Sequence, residues 1–527
     1  MEYSETLDEH GNFLQNIIGQ NKHQKDFYKF AVDGTVSYCP RFTYHGFRYV
    51  RLTGARSFSV EDFTIHIIGT DMARTGFFEC SDERLTRLKE NIYRSQQGNM
   101  ISIPTDCPQR ERTGWTGDMQ IFAPTACFNM DVEMFLRKWL LDMRYEQLPD
   151  GQLPHIIPYF PSHDIMKPDG LDNVSAAGWS DACIIIPWRL YEAYGDITIL
   201  SENYDMMLRY LKSVEKLASE LPDDYDSMDP DRQQRQKYLW NTGFSFGDWL
   251  MPSLVMSGQH NPFITGYEVA TLMFAYTTKL MSKIAHLLGH HETAEYYSEL
   301  NQNIRDAFFA EYMFPTGLLK KEFQGLYVLA LAMDAVPEAV RQRCIDRLEE
   351  LIHQNGDRLD TGFLSVPFLL DTLYENGKQD LAYTLLYQTK CPSWLYEVEK
   401  GATTMWESWD NISEDGKRSR NSYNHFAFGC VGDFIYRRIL GIQSVEPGYK
   451  RVIICPYPNC RLQWARGYYE SVNGKIEVDW HIKEDTINLN VVIPPNIEAV
   501  VELCDSNPVT VGSGKYTFCA SIPKLRG

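Results

Sequence analysis

The chain has 527 residues, long enough for about three domains and a large buried core. Lysine and arginine number 51 against 70 aspartate and glutamate, a formal net charge of −19. That balance argues against nucleic acid or an anionic membrane as a partner and suits a neutral ligand.

The 12 cysteines form no CxxC pair, and Cys127, Cys183, Cys344 and Cys430 fall in apolar helical contexts, so reduced thiols acting as small hydrophobes are expected. The opening residues MEYSETLDEHGN lack the apolar stretch of a signal peptide. No apolar run approaches the ~18 residues of a membrane span. A cytoplasmic location with no membrane partner is the expectation, and a homo-oligomer is compatible with the sequence.

From Met1 to about Gly69 short alternating or aromatic runs are separated by Gly, Asn and Pro. Phe13 to Ile18, Phe27 to Val32, Phe47 to Leu52 and Phe63 to Ile68 are predicted as antiparallel strands, too few to complete a sandwich. From about Ser81 to Gly441 the apolar period changes from two to about 3.6. Ser81 leads a helix carrying Leu85, Leu88 and Ile92. Ser201 opens another with Leu208 and Leu211, and Pro337 occupies a first helical turn ahead of Ile345, Leu348 and Leu351. Roughly twelve helices are expected, and the Gly- and Pro-bearing loops between them are where chemistry is expected. After Gly441 strands return at Arg451 to Cys455, Leu462 to Tyr469, Lys475 to His481, Ile487 to Ile493, Val500 to Cys504 and Tyr516 to Ile522. These predict a small β-sandwich supporting the helical part.

Within the helical region Asp106 to Asp118 reads DCPQRERTGWTGD. It crowds the carboxylates Asp106, Glu111 and Asp118, the cations Arg110 and Arg112, and an indole, Trp115, between Gly114 and Gly117. A solvated turn of paired charges needs neither that indole nor a Cys-Pro. A pocket for a neutral sugar needs an aromatic wall for the C–H face and carboxylates for the hydroxyls. Glycoside hydrolysis further needs two carboxyl groups in different protonation states.

DCPQRERTGWTGD resembles the signature of the bacterial α-L-rhamnosidases, glycoside hydrolase family 78. PRFTYHGFRYV (Pro40 to Val50), GWSDACIIIPWRLYEAYGD (Gly178 to Asp196), FGDWL (Phe246 to Leu250), DTGFL (Asp360 to Leu364), GATTMWESWD (Gly401 to Asp410) and NSYNHFAFGCV (Asn421 to Val431) resemble the same family in the same order. The resemblance implies a mainly α fold, an (α/α)6 toroid over residues 71–440. A partial N-terminal β-domain (1–70) and a C-terminal β-sandwich (441–527) flank it; periodicity alone permits other helical arrays. Members of the family usually carry further β domains ahead of such a region, so exposed strand edges are expected here.

The resemblance also implies an inverting exo-glycosidase that removes terminal α-L-rhamnose, with Glu111 as general acid and Glu407, in WESWD, as general base. Asp106 and Asp118 are implied to hold sugar hydroxyls, and pairing with Arg110 or Arg112 is an equally open role. Arg110, Trp115, Trp179, Trp249, Trp406 and His425 complete the implied substrate site. Arg110 and Arg112 flank Glu111 and are expected to point elsewhere or pair with Asp106 and Asp118, while Trp115 and burial raise the acid's pKa. No HExxH, paired CxxC, DxDxDG, GxSxG or P-loop lysine motif is present, so neither a catalytic metal nor a cofactor is expected. The alternatives are a hydrolase of different sugar specificity on the same toroid, and an inactive, truncated carbohydrate-binding homologue.

Overall fold

The computed structural model describes residues 1–17, 24–55, 57–159, 175–256, 264–504 and 506–522. Ile18, the expected end of the first strand, and residues 160–174 lie outside this set.

Two kinds of helix alternate along the middle of the chain. Thr116–Asn129, Ala182–Tyr194, Gly266–Leu287, Gln324–Ala332 and Val366–Glu375 are buried over most of their surface, as is the helical run from Ala427–Val431 to Ile435–Ile439. A helix apolar on every side belongs inside. Between them fall amphipathic helices such as Glu83–Asn99, Thr198–Ala218 and Glu338–Gln354, each burying one stripe. In the first, Asp82 caps the N-terminus by accepting the Arg84 amide, and Leu85, Leu88 and Ile92 form the buried stripe.

Among the described residues each inner helix packs on the next and the last packs on the first. That closed ring with an outer helix between successive inner ones is the (α/α)6 toroid. The inner helices all run the same way, so their N-terminal ends share one rim. Residues 106–115, 176–181, 360–365 and 405–426 each lead into an inner helix at that rim.

The expected boundaries shift by a few residues at most in the helices: the one expected at Ser201 begins at Thr198, and Pro337 is the residue just before Glu338. The N-terminal region departs further. Its strands are Glu2–Ser4 paired with Tyr49–Arg51, and Thr6–Leu7 paired with Phe13–Leu14. Residues 27–32 and 63–68 form none. Phe27 is 84% and Ile67 89% exposed; a run that finds no neighbouring strand pairs no backbone and buries no side chain. The two-stranded ladders of this region leave outer strand edges without a neighbouring strand among the described residues, and the unpaired runs leave apolar side chains open besides.

At the C-terminus a five-stranded and a four-stranded sheet form the sandwich. An unexpected strand, Gly76–Cys80, precedes the first barrel helix and pairs antiparallel with Trp464–Ser471, setting Cys80 opposite Ala465. The sandwich is thereby stitched to the start of the toroid. Trp480 holds its other end, fully buried with its indole N–H donating to the Ile439 carbonyl at 2.8 Å. Trp480→Ala is expected to cost about 3–5 kcal/mol in denaturant unfolding; a loss under about 1 kcal/mol would show that this contact does not join the two domains.

Candidate active site

The segment from Asp106 to Trp115 folds into a closed loop. The Asp106 amide donates to the Thr113 carbonyl at 3.0 Å, and the Thr113 amide donates back to Asp106 Oδ1 at 2.9 Å. The two glycines beside Trp115 answer to packing. A Cβ on Gly114 would stand 2.0 Å from the Ile157 carbonyl oxygen, and one on Gly117 would stand 2.6 Å from the Trp179 ring. Trp115 stacks on His155 with centroids 5.3 Å apart and meets Phe246 edge-on at 6.0 Å.

A second loop supplies the other carboxylate. The Glu407 amide donates to the Ser422 carbonyl at 3.0 Å, and the Ser422 amide donates to Glu407 Oε2 at 2.7 Å. The facing segment of this loop, at Ser422, thus grips both the backbone and the side chain of Glu407.

The two loops meet at Arg110, whose side chain is 2% exposed. Its Nη2 donates to Glu407 Oε1 at 2.5 Å and also contacts Oε2. Glu111 Oε1 lies 3.6 Å from the same nitrogen. The nearest oxygens of the two carboxylates therefore lie no farther apart than those two contacts laid end to end, just under the ~6.5–9.5 Å usual between the carboxyl groups of an inverting glycosidase. Glu111 and Glu407 keep 22% and 14% of their side chains exposed, enough for a ligand oxygen to reach each.

Burial raises the pKa of Glu111; Arg110 opposes the shift and the charge of Glu407 adds to it. The indole N–H of Trp115 donates to Glu111 Oε2 at 2.9 Å and favours the charged form. The expected sign for Trp115 is thus reversed: it restrains the rise that burial causes. The expectation for the arginines holds only for Arg112, whose Nη1 donates to the Tyr44 carbonyl at 2.7 Å. Arg110 lies between the two glutamates, because a guanidinium this buried must be met by anions.

Asp106 and Asp118 meet other partners. Asp106 accepts from the Cys107 thiol at 2.5 Å, and Asp118 Oδ1 lies 3.1 Å from His425 Nε2. Burial, reinforced by the charge of Glu111, raises both aspartates well above the usual carboxylate range. Burial pushes His425 down to about 4. Asp118 and His425 are thus a buried pair that favours neutral forms. Trp179 is 2% exposed beneath Gly117 and packs on Phe246 at 4.3 Å. Trp249 meets the same Phe246 at 5.7 Å. Trp406, also 2% exposed, donates its amide to Glu397 and faces Tyr423. Phe246 therefore joins Trp115, Trp179 and Trp249 into one aromatic wall.

Phe246 and His155 were not singled out from sequence, although FGDWL contains the first. Asp248 of the same stretch accepts the amides of Gly362, Leu364 and Ser365 at 2.9 to 3.1 Å. Burial pushes its carboxyl up to about 6. This explains why FGDWL and DTGFL occur together: one carboxyl folds the other loop. A cavity of about 680 Å3 lined by Pro124, Trp188, Phe368 and Arg437 contains none of the residues predicted for the site. Among the described residues no group of three or more His, Cys, Asp or Glu side chains is placed to hold a metal, and no helix is long and apolar enough to cross a membrane.

The sequence model of the bacterial α-L-rhamnosidase six-hairpin glycosidase domain matches residues 73–439, more than half of the chain. The chain belongs to the bacterial α-L-rhamnosidase family. That family's C-terminal domain matches residues 441–518 and its concanavalin-like domain residues 1–69. An α-L-rhamnosidase of Formosa agariphila is 35% identical over 514 residues, 96% of this chain and 52% of that protein. The crystal structure of Streptomyces avermitilis α-L-rhamnosidase complexed with L-rhamnose matches with a TM-score of 0.86 at 34% identity, covering 99% of this chain and 49% of the other. That of Aspergillus terreus α-L-rhamnosidase gives 0.87 at 32%, covering 98% and 58%. The chain spans about half the length of the curated rhamnosidases it matches.

Proposed function

We propose that this chain hydrolyses terminal α-L-rhamnosides with inversion at the anomeric carbon, Glu111 acting as general acid and Glu407 as general base. The observation that carries the reading is the convergence of Glu111 and Glu407, from distant parts of the chain, on one guanidinium in unlike surroundings. Burial favours the protonated form of Glu111, while Glu407 is held by the Arg110 and Ser422 donors. A carboxyl whose protonated form burial favours, facing one bound by a guanidinium and an amide, suits acid–base catalysis at a glycosidic bond.

In the proposed step Glu111 gives its proton to the glycosidic oxygen as the C–O bond breaks. A water on the opposite face of the ring attacks the anomeric carbon and loses a proton to Glu407. Negative charge thus moves from Glu407 to Glu111. Arg110 stands within reach of both, so it faces one carboxylate before the step and one after, and little reorganisation is required. Trp115 and Trp249, half-buried and backed by the buried Trp179 and Phe246, offer a surface suited to the apolar face and methyl group of a 6-deoxy sugar. Asp106, Asp118, His425 and Trp406 complete the proposed sugar site.

Purified protein is expected to hydrolyse an aryl α-L-rhamnoside, and Glu111→Gln and Glu407→Gln should each lower kcat/KM by about 10²-fold or more. A folded parent that turns over no rhamnoside contradicts the reading. Trp115→Phe removes the donor that favours ionised Glu111. The acid then stays protonated to higher pH, so the alkaline limb of kcat/KM is expected to move upward. A limb that moves down, or stays, would show that this indole does not act on the acid.

A further inference from the structure

The catalytic loops are held from outside the toroid as well as within it. The N-terminal β region touches both. On the acid side the Gly46 amide donates to the Pro108 carbonyl at 3.2 Å, and the Tyr44 carbonyl accepts from Arg112 at 2.7 Å. On the base side Glu5 is 4% exposed, and its Oε2 accepts the Tyr423 amide and Asn16 Nδ2, each at 2.8 Å. Asn16 Nδ2 also lies 3.4 Å from the Asn421 carbonyl.

The Tyr423 amide belongs to the same peptide group as the Ser422 carbonyl, which accepts the Glu407 amide. One end of that peptide holds Glu407 and the other end is held by Glu5. Ser422, on the near side of the same peptide, donates to the Glu407 carboxylate itself. We infer that Glu5 is a positioning residue for Glu407, fixing the Ser422–Tyr423 peptide from the N-terminal β region so that the base keeps its backbone donor and its place beside Arg110. The inference rests on the acid–base reading proposed above.

Glu5 is itself well anchored. It sits between Glu2–Ser4, paired with Tyr49–Arg51, and Thr6–Leu7, paired with Phe13–Leu14. Burial lifts its carboxyl to about 7 against the pull of the Tyr423 and Asn16 donors. Near neutral pH much of it is uncharged, so an acceptor oxygen, rather than a full charge, is what the Tyr423 amide requires. Glutamine offers that oxygen and alanine does not.

The test compares the full chain with Glu5→Ala and Glu5→Gln. Glu5→Ala is expected to lower kcat about 10- to 100-fold with KM within about threefold. Its acidic limb of kcat/KM should lie at higher pH than that of Glu5→Gln, because a base that loses an amide donor is protonated more readily. The groups facing Glu407 are Arg110, the Ser422 amide, Glu111, Asp118, Cys107, His425 and Glu5 itself; both variants remove the Glu5 charge, so the difference between their limbs reports the amide alone. Glu5→Gln should return kcat to within about threefold of the parent. A fall in the folded fraction alone would lower kcat without moving the limb.

Hydrogen exchange of the segment 405–425 needs no turnover and is expected to quicken about tenfold in Glu5→Ala but not in Glu5→Gln. Asn16→Ala, which leaves Glu5 in place, should act in the same direction with smaller size if Glu5→Ala fails to fold. An inactive parent overturns the hydrolase reading, while exchange still decides whether Glu5 fixes the loop. An active parent whose Glu5→Ala variant keeps parental kcat, limb and exchange overturns the inference and leaves the hydrolase reading standing.

Discussion

Arg110 carries its charge with 2% of its side chain exposed, and a cation taken that far from water has to be met by anions at short range. Glu407 and Glu111 meet it, although they lie far apart in the sequence. Much of the surrounding structure can be read as what keeps that trio together. The loop closed by Asp106 and Thr113 presents Arg110 and Glu111 side by side, and the segment at Ser422 presents Glu407 from across the rim. Breaking the pairing on either side would leave an uncompensated charge under cover, the costliest outcome available to a folded chain.

The toroid makes such convergence possible by ordinary packing. Inner helices buried on all sides here close into a ring, each followed by an outer helix, and loops entering at their N-terminal ends are gathered at one rim, where helix dipoles favour negative charge. Side chains then set the details. Asp248 spends its carboxyl on the amides of Gly362, Leu364 and Ser365, and Phe246 binds the indoles into one wall. The N-terminal β region reaches the same rim, touching the loop of Glu111 at Pro108 and Arg112 and the loop of Glu407 at Tyr423.

The alternation of apolar periods was enough to separate a helical middle from strands at either end, because 3.6 and two are local signals. Ring closure is not local, and the toroid was reached through family resemblance in DCPQRERTGWTGD and WESWD. The same is true of Glu111 and Glu407 as a pair. Gly76–Cys80 escaped notice because a five-residue strand means little until its partner, Trp464–Ser471, is beside it. Residues 27–32 and 63–68 misled for the converse reason: they have strand composition and no neighbour to pair with. Chemistry was legible by residue type and less so by direction. An indole beside a carboxyl suggested an apolar wall, whereas its N–H points at Glu111 and stabilises the charge. Glu5 carried no motif, since its importance comes from a peptide group more than four hundred residues away.

The proposed division of labour between Glu111 and Glu407 has a stereochemical signature that no binding protein or double-displacement hydrolase shares. Water activated by Glu407 must strike the face opposite the departing group. Proton NMR of the sugar formed in the first minutes of aryl α-L-rhamnoside hydrolysis, before mutarotation, reads that face directly. The β anomer appearing first, with α growing in later, is the expected result; the α anomer appearing first would contradict the assignment of Glu407 as a base acting through water.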